Sequence, residues 1–146
     1  MADADIFEQV RFAVEGFVAS VPGALHATAH GRGVKVWFDD STREHYEAQL
    51  IRIDGQVRLE IGFHAEHAKR AENTAALARL LDASDQWRAE LGDEAEAGPF
   101  LGRDGWVRIS EVWDAPEPGP IDVVIEIAAR LAEYINALEP VRRSGR

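Results

Sequence analysis

The chain has no cysteine, one methionine and only two lysines among its 146 residues. Without thiols there is no disulfide framework, no thiolate nucleophile and no cysteine-ligated zinc. The lysines are Lys35 and Lys69, so positive charge rests almost wholly on arginine. That bias, with abundant alanine, is what a GC-rich bacterial genome would give. Positive charge is also scarce: 16 basic against 26 acidic residues leave a net charge of −10. Nucleic-acid binders gain affinity by neutralising phosphates, so nucleic acid is not an expected partner. No run approaches the roughly 18 consecutive apolar residues of a membrane helix. The opening MADADIFEQV is acidic and lacks a basic segment followed by an apolar one. Neither a signal peptide nor membrane association is expected, and the expected compartment is the cytoplasm.

What is present suits a folded globular chain: 46% hydrophobic and 29% charged residues. The length allows one core, so a single domain is expected over 1–140, with 141–146 as a flexible basic tail. Ile6, Phe7, Val10, Ala13, Val14, Phe17 and Val18 fall on one helical face and predict a helix from Asp5 to Ser20. Asp5 and Glu8 stand at capping-box spacing. Leu25 to His30 alternates weakly, as an extra strand would. Val34, Val36 and Phe38 predict a strand, and further strands are expected over His45 to Ile53 and Val57 to His64. Asp54-Gly55 between those two is the signature of a type I′ hairpin. A second helix is expected from Asn73 to Leu91, stopped by Gly92. Asp93 to Pro99 reads as an acidic loop. Asp104-Gly105 predicts a hairpin pairing Phe100-Leu101 with Trp106 to Trp113.

The last helix is expected to open at Pro120 and end at Pro140. Ile121, Val124, Ile125, Ala128, Leu131, Ile135 and Leu138 form one stripe. Val123, Ile127 and Tyr134 form a second. A helix apolar on two sides is buried twice or meets a partner chain. The expected fold is α+β, a mainly antiparallel sheet flanked by helices in the order α-β-β-β-α-β-β-α, with the strand at 25–30 as an addition.

Two constellations carry candidate chemistry. All five histidines lie between His26 and His67. His26 and His30 share a strand face, and LEIGFHAEH places His64, Glu66 and His67 together. Imidazole and carboxylate suit zinc and other divalent metals, so His26, His30, His64 and His67 are the candidate ligands. The spacing H-x-E-H matches no helical zinc signature, and solvated strand faces account for it equally well. The second constellation is the outward face of the sheet, expected to hold Lys35, Trp37, Arg58, Glu60 and His64. A solvated face explains the charges, but an aromatic among charges is what an interface looks like. Trp37, Arg58, Glu60 and His64 therefore form a candidate interaction face, together with Ile127 and Tyr134 of the last helix.

A helix, three strands, a helix and a strand resembles the core of the PD-(D/E)XK nuclease-like family. That resemblance implies a metal-holding acid on the second strand and an acid-x-lysine on the third. Glu60-Ile61-Gly62 occupies the right strand, with glycine where the lysine would stand, and Glu47 or Asp54 would supply the first acid. The fuller order α-β-β-β-α-β-β-α, with small size and acidity, resembles the type III secretion chaperones. The match is of element order and carries no motif. It implies a homodimer that binds an extended protein segment, needs no cofactor and catalyses nothing. The expected function is accordingly a non-catalytic, chaperone-like interaction domain. The alternative is a metal-dependent hydrolase or a degenerate nuclease-like enzyme.

Overall fold

A computed structural model describes residues 3–117 and 121–144. Helix α1 (Asp3–Phe17) precedes four strands: β1 (Leu25–His30), β2 (Gly33–Phe38), β3 (Glu44–Ile53) and β4 (Gln56–Ala65). Helices α2 (Arg70–Leu81) and α3 (Ser84–Leu91) follow, then β5 (Glu96–Pro99), β6 (Val107–Asp114) and helix α4 (Ile121–Ser144). The strands form one antiparallel sheet in the order β1-β2-β3-β4-β6-β5. This is the expected α+β class, with the added strand at 25–30 present.

The hairpin at Asp54-Gly55 sets the geometry of everything that follows. Both residues take positive φ, 51° and 80°, as a type I′ turn requires. A two-residue loop leaves no slack, so Ile53 pairs with Gln56 and the register runs unbroken to Glu44 opposite Ala65. Alternation then divides the sheet into two faces. One carries Val34, Val36, Phe38, Tyr46, Ala48, Leu59, Ile61, Phe63, Ala65 and Ile109, all buried. Helices α1 and α4 pack against it: α1 on β1 and β2, α4 on β3 and β4.

Three expectations change at the helices. The predicted 73–91 helix is two helices, broken at Asp82-Ala83. The break turns α3 so that Trp87 is enclosed, and its indole N–H donates to the Leu80 carbonyl at 2.7 Å. Helix α4 does not stop at Pro140 but runs to Ser144, so residues 141–144 of the expected tail are helical. Its last turns are tied down by ion pairs. Arg142 donates twice to the buried Glu139 at 2.8 Å, and Arg143 reaches Asp39 at 2.9 Å. Glu139 also accepts the Tyr46 hydroxyl at 2.9 Å, which locks the helix end to the sheet. The predicted start at Pro120 and the Asp5 side chain of the capping box lie outside the described residues and side chains.

The two stripes of α4 are corrected as well. Ile127 and Tyr134 are buried core, because α4 is covered by the sheet, α1, α2 and α3 together. The Tyr134 hydroxyl donates to Glu111 at 2.7 Å, inside the protomer. Both side chains are 0% exposed within the protomer, which is the twice-buried alternative for this stripe. Ile125, placed in the buried stripe by its spacing, is instead exposed, as are Phe12 and Phe17 on α1. The second hairpin forms, but its first strand is Glu96–Pro99, inside the expected acidic loop, pairing with Val107–Ser110. Phe100 adds one bond to the ladder, its N–H donating to the Trp106 carbonyl at 2.9 Å.

Candidate metal centre

The second face of the sheet is where the polar residues gather, and it is not a solvated face. His45, Glu47, Glu60, His64, Arg108 and Ser110 are all buried there. Register explains the gathering. The turn that sets Ile53 against Gln56 sets His45 against His64 and Glu47 against Gly62. His45-Tyr46-Glu47 on β3 therefore lies beside His64-Ala65-Glu66 at the end of β4. Two copies of the same histidine-x-glutamate pattern face one another. Phe100 closes the top, its ring edge-on to His64 with centroids 4.7 Å apart.

Gly62 keeps the middle of this face open. It sits between Glu60 and His64, at φ +154°, where a Cβ would meet the Ile109 carbonyl oxygen at 2.3 Å and Ser110 Cα at 2.5 Å. No side chain fits, so β6 comes close and the space above Gly62 goes to the flanking Glu60 and His64. The glycine that breaks the nuclease-like pattern is thus a packing requirement here.

The imidazoles converge. His45 Nε2 and His64 Nδ1 each lie 3.1 Å from Glu47 Oε1. Each also lies 3.5 Å from Glu66 Oε2. These four ligand atoms are all within 4.8 Å of one another. The rings face each other edge-on, centroids 5.6 Å apart. The outer nitrogens are both engaged. His45 Nδ1 donates to the Thr42 carbonyl at 2.9 Å, and His64 Nε2 donates to Glu60 Oε2 at 2.7 Å. A carbonyl and a carboxylate only accept, so those two nitrogens carry the protons. In the neutral rings, His45 Nε2 and His64 Nδ1 are then bare lone pairs, aimed at carboxylate oxygens.

Lone pairs facing carboxylates need a positive charge between them. All ion pairs made by Glu47, Glu60 and Glu66 among the described residues are to His45 and His64. Lys35 stands across from Glu47 in the register but makes no ion pair with it. Two buried carboxylates, Glu47 and Glu60, and the half-buried Glu66, with no guanidinium or ammonium partner, are costly. Without a metal, protons must do the work. Burial alone would depress both imidazoles, but the surrounding carboxylates outweigh it, raising His45 and raising His64 strongly. Burial would likewise raise the carboxyls. Hydrogen bonds from His45 and His64 instead hold Glu47 far below its usual range and Glu66 at about 2. Glu60 is lowered too, against its burial, by the charge and hydrogen bond of His64 and by Gln49 and Ser110. One divalent cation supplies the same charge as the two extra protons.

The dimensions suit such a cation. With zinc–ligand distances of about 2.0–2.1 Å, the edge of a tetrahedral site is roughly 3.3–3.4 Å. The four nitrogen–oxygen separations of 3.1 and 3.5 Å straddle that edge, whereas the whole set spreads over up to 4.8 Å, so binding an ion would draw the side chains together. Two imidazoles and two carboxylates suit zinc, manganese or ferrous iron. Glu60 on His64 and the Thr42 carbonyl on His45 are the outer partners that fix tautomer and ring orientation in metal sites.

Among the expected ligands, only His64 belongs to this centre. His26 and His30 are exposed on the edge strand β1, three strand spacings from β4, or roughly 14 Å. His26 stacks on Trp37 at 5.4 Å, and His30 Nδ1 accepts the Arg32 N–H at 3.1 Å. His67 turns away from the centre to pair with Glu44 at 2.7 Å and Glu72 at 3.2 Å. Of the expected interaction face, Trp37 and Arg58 are partly exposed, with Arg58 paired to Asp114 at 3.4 Å. Glu60 and His64 are 0% exposed and belong to the centre. Of the four side chains of the cluster, His64 and Glu66 were grouped in the sequence and Glu47 entered only as the acid that the nuclease-like resemblance implies, but His45 was missed and the two histidine-x-glutamate patterns were not connected. Their signal was available: a two-residue turn at 54–55 dictates which residues of the flanking strands stand opposite, and that arithmetic places the two histidine-x-glutamate patterns side by side.

Compared with known proteins, the chain matches no protein-family model, no curated protein and no solved structure.

Proposed function

We propose that the chain is a metalloprotein that holds one divalent transition-metal ion through His45 Nε2, Glu47, His64 Nδ1 and Glu66. The observation that carries this reading is the pair of inward ring nitrogens facing two carboxylates, with both outward nitrogens already donating elsewhere. A buried histidine that serves only packing has no need of a second ring held in the same sense opposite it.

Glu66 makes the centre reachable. Its side chain is 14% exposed, the most open of the four, and it forms part of the wall of a surface cleft of about 480 Å³. Structural zinc sites are closed on all sides, whereas catalytic sites keep one side accessible. The reaction class we infer is metal-assisted hydrolysis, in which the ion would have to take a fifth ligand from the cleft side, next to Glu66, and would act toward it as a Lewis acid. No helix among the described residues is long and apolar enough to cross a membrane.

Elemental analysis of protein purified without chelator tests the reading. Close to one equivalent of zinc, manganese or iron is expected, removable by chelator and restored with a rise in melting temperature. Less than about a tenth of an equivalent, with no thermal shift on adding any of these ions, overturns it.

A further inference from the structure

We infer that the cleft beside Glu66 binds a small organic anion, held through a phosphate or carboxylate group by Arg43 and Arg103; this rests on the metal reading above and names the substrate class of the same site. The cleft is built from three segments: Arg43 just before β3, the β4–α2 connection with the first turn of α2, and the β5–β6 loop. Asn73 staples the latter two. Its Oδ1 accepts the His67 N–H at 2.7 Å, and its Nδ2 donates to the His67 carbonyl at 3.0 Å and the Gly105 carbonyl at 2.9 Å. A fully buried asparagine spent on holding two loops in place marks a fixed site rather than a chance crevice.

Its charge runs against the chain. The protein carries −10 overall, yet the cleft is lined by three arginines against two carboxylates, Glu66 and Asp104. Asp104 is taken by Arg70 at 2.6 Å. Arg43 and Arg103 make no ion pair among the described residues. Arg43 is anchored beside Glu66, whose N–H donates to the Arg43 carbonyl at 2.7 Å. Arg103 lies over the Trp106 ring at 4.2 Å, which orients the guanidinium and leaves its N–H edges for a ligand. Two guanidinium groups present paired donors that match the oxygens of phosphate or carboxylate. A volume near 480 Å³ accommodates a small molecule and not a folded partner. An anion seated here would carry its neighbouring bonds toward Glu66 and the ion.

Calorimetric titration of inorganic phosphate and of oxalate, each into metal-loaded protein, tests the inference and separates the two oxyanions. At least one of them is expected to bind wild-type protein. R43Q and R103Q, both at exposed positions, should each weaken that binding roughly tenfold, because a charge-assisted hydrogen bond is lost. Metal content and melting temperature should stay at wild-type values in both. The control R32Q, remote on the β1–β2 turn, should leave affinity unchanged. Failure of both anions to bind, wild-type affinity in both cleft variants, or an equal loss in R32Q overturns the inference. Metal content, measured on the same samples, separates that failure from failure of the metal centre itself.

Discussion

Replacing Glu60 by glutamine probes the centre without touching a ligand. Glu60 is wholly enclosed and accepts two hydrogen bonds, from His64 Nε2 at 2.7 Å and from Gln49 Nε2 at 2.9 Å. Glutamine has the same shape but one acceptor and one donor end. If its oxygen takes the His64 proton, its amide nitrogen confronts the Gln49 amide, donor against donor. If it flips, it confronts His64. Either way the His64 ring loses its anionic support, and Nδ1 becomes a poorer ligand. Losing such an outer partner lowers metal affinity about 10–100-fold, or about 1.4–2.8 kcal/mol. The assay is competition against a chromogenic chelator at fixed pH and salt, with circular dichroism confirming that the fold persists. One equivalent should still bind, more weakly. A folded E60Q that holds metal as tightly as wild type would refute the role assigned to Glu60.

The remaining predictions concern the frame around the centre. G62A should cost about 2–3 kcal/mol in chemical denaturation, because the added carbon strikes the β6 backbone at Ile109 and Ser110; a loss under about half a kcal/mol would mean that β6 has room to yield. I127D should abolish the folded circular-dichroism signal, since Ile127 is core; a folded monomer would return that stripe to a surface. Glu111 gives the pH test. Burial would raise its carboxyl, but hydrogen bonds from Arg130, Tyr134 and Trp113 outweigh burial and hold it below the usual value. A depressed carboxylate stabilises the fold above the unfolded-state value, near pH 4.3, and that stability is lost as pH falls through the lower folded value. E111Q should therefore be less stable than wild type by about 2 kcal/mol at pH 7, and the gap in urea midpoints should narrow below about pH 4. A gap that does not change with pH would contradict the assignment.

Much of the frame was legible because local signals and burial agree. Asp54-Gly55 announced both a turn and its type, and the strands beside it alternate as half-buried strands do. The misreadings came where tertiary contacts overrule local signals. Pro140 should end a helix, but the Glu139–Arg142 pair, the Tyr46 hydroxyl and the Arg143–Asp39 contact hold the following turn in place. Apolar residues on two sides of α4 left burial on both sides and a partner chain as alternatives, and the protein's own sheet and helices cover both stripes apart from Ile125. The centre was half legible. His64 drew notice because it stands among other polar residues in sequence. His45 did not, because its partner lies across a strand pair, and only register connects them. Glu60 was placed on a polar face that reads as solvated by alternation. Alternation records which side a residue faces and is silent on what closes over that side, here Phe100 and the two histidine-x-glutamate patterns themselves.

Anomalous diffraction from crystals grown with zinc or manganese would locate the ion itself. One strong peak is expected, bonded at about 2.0–2.2 Å to His45 Nε2, His64 Nδ1 and an oxygen of each of Glu47 and Glu66, with His64 Nε2 still donating to Glu60. A metal-replete crystal with no peak there, and both imidazoles still hydrogen-bonded to Glu47 at 3.1 Å, would contradict the metal reading and leave the cluster a buried ion network.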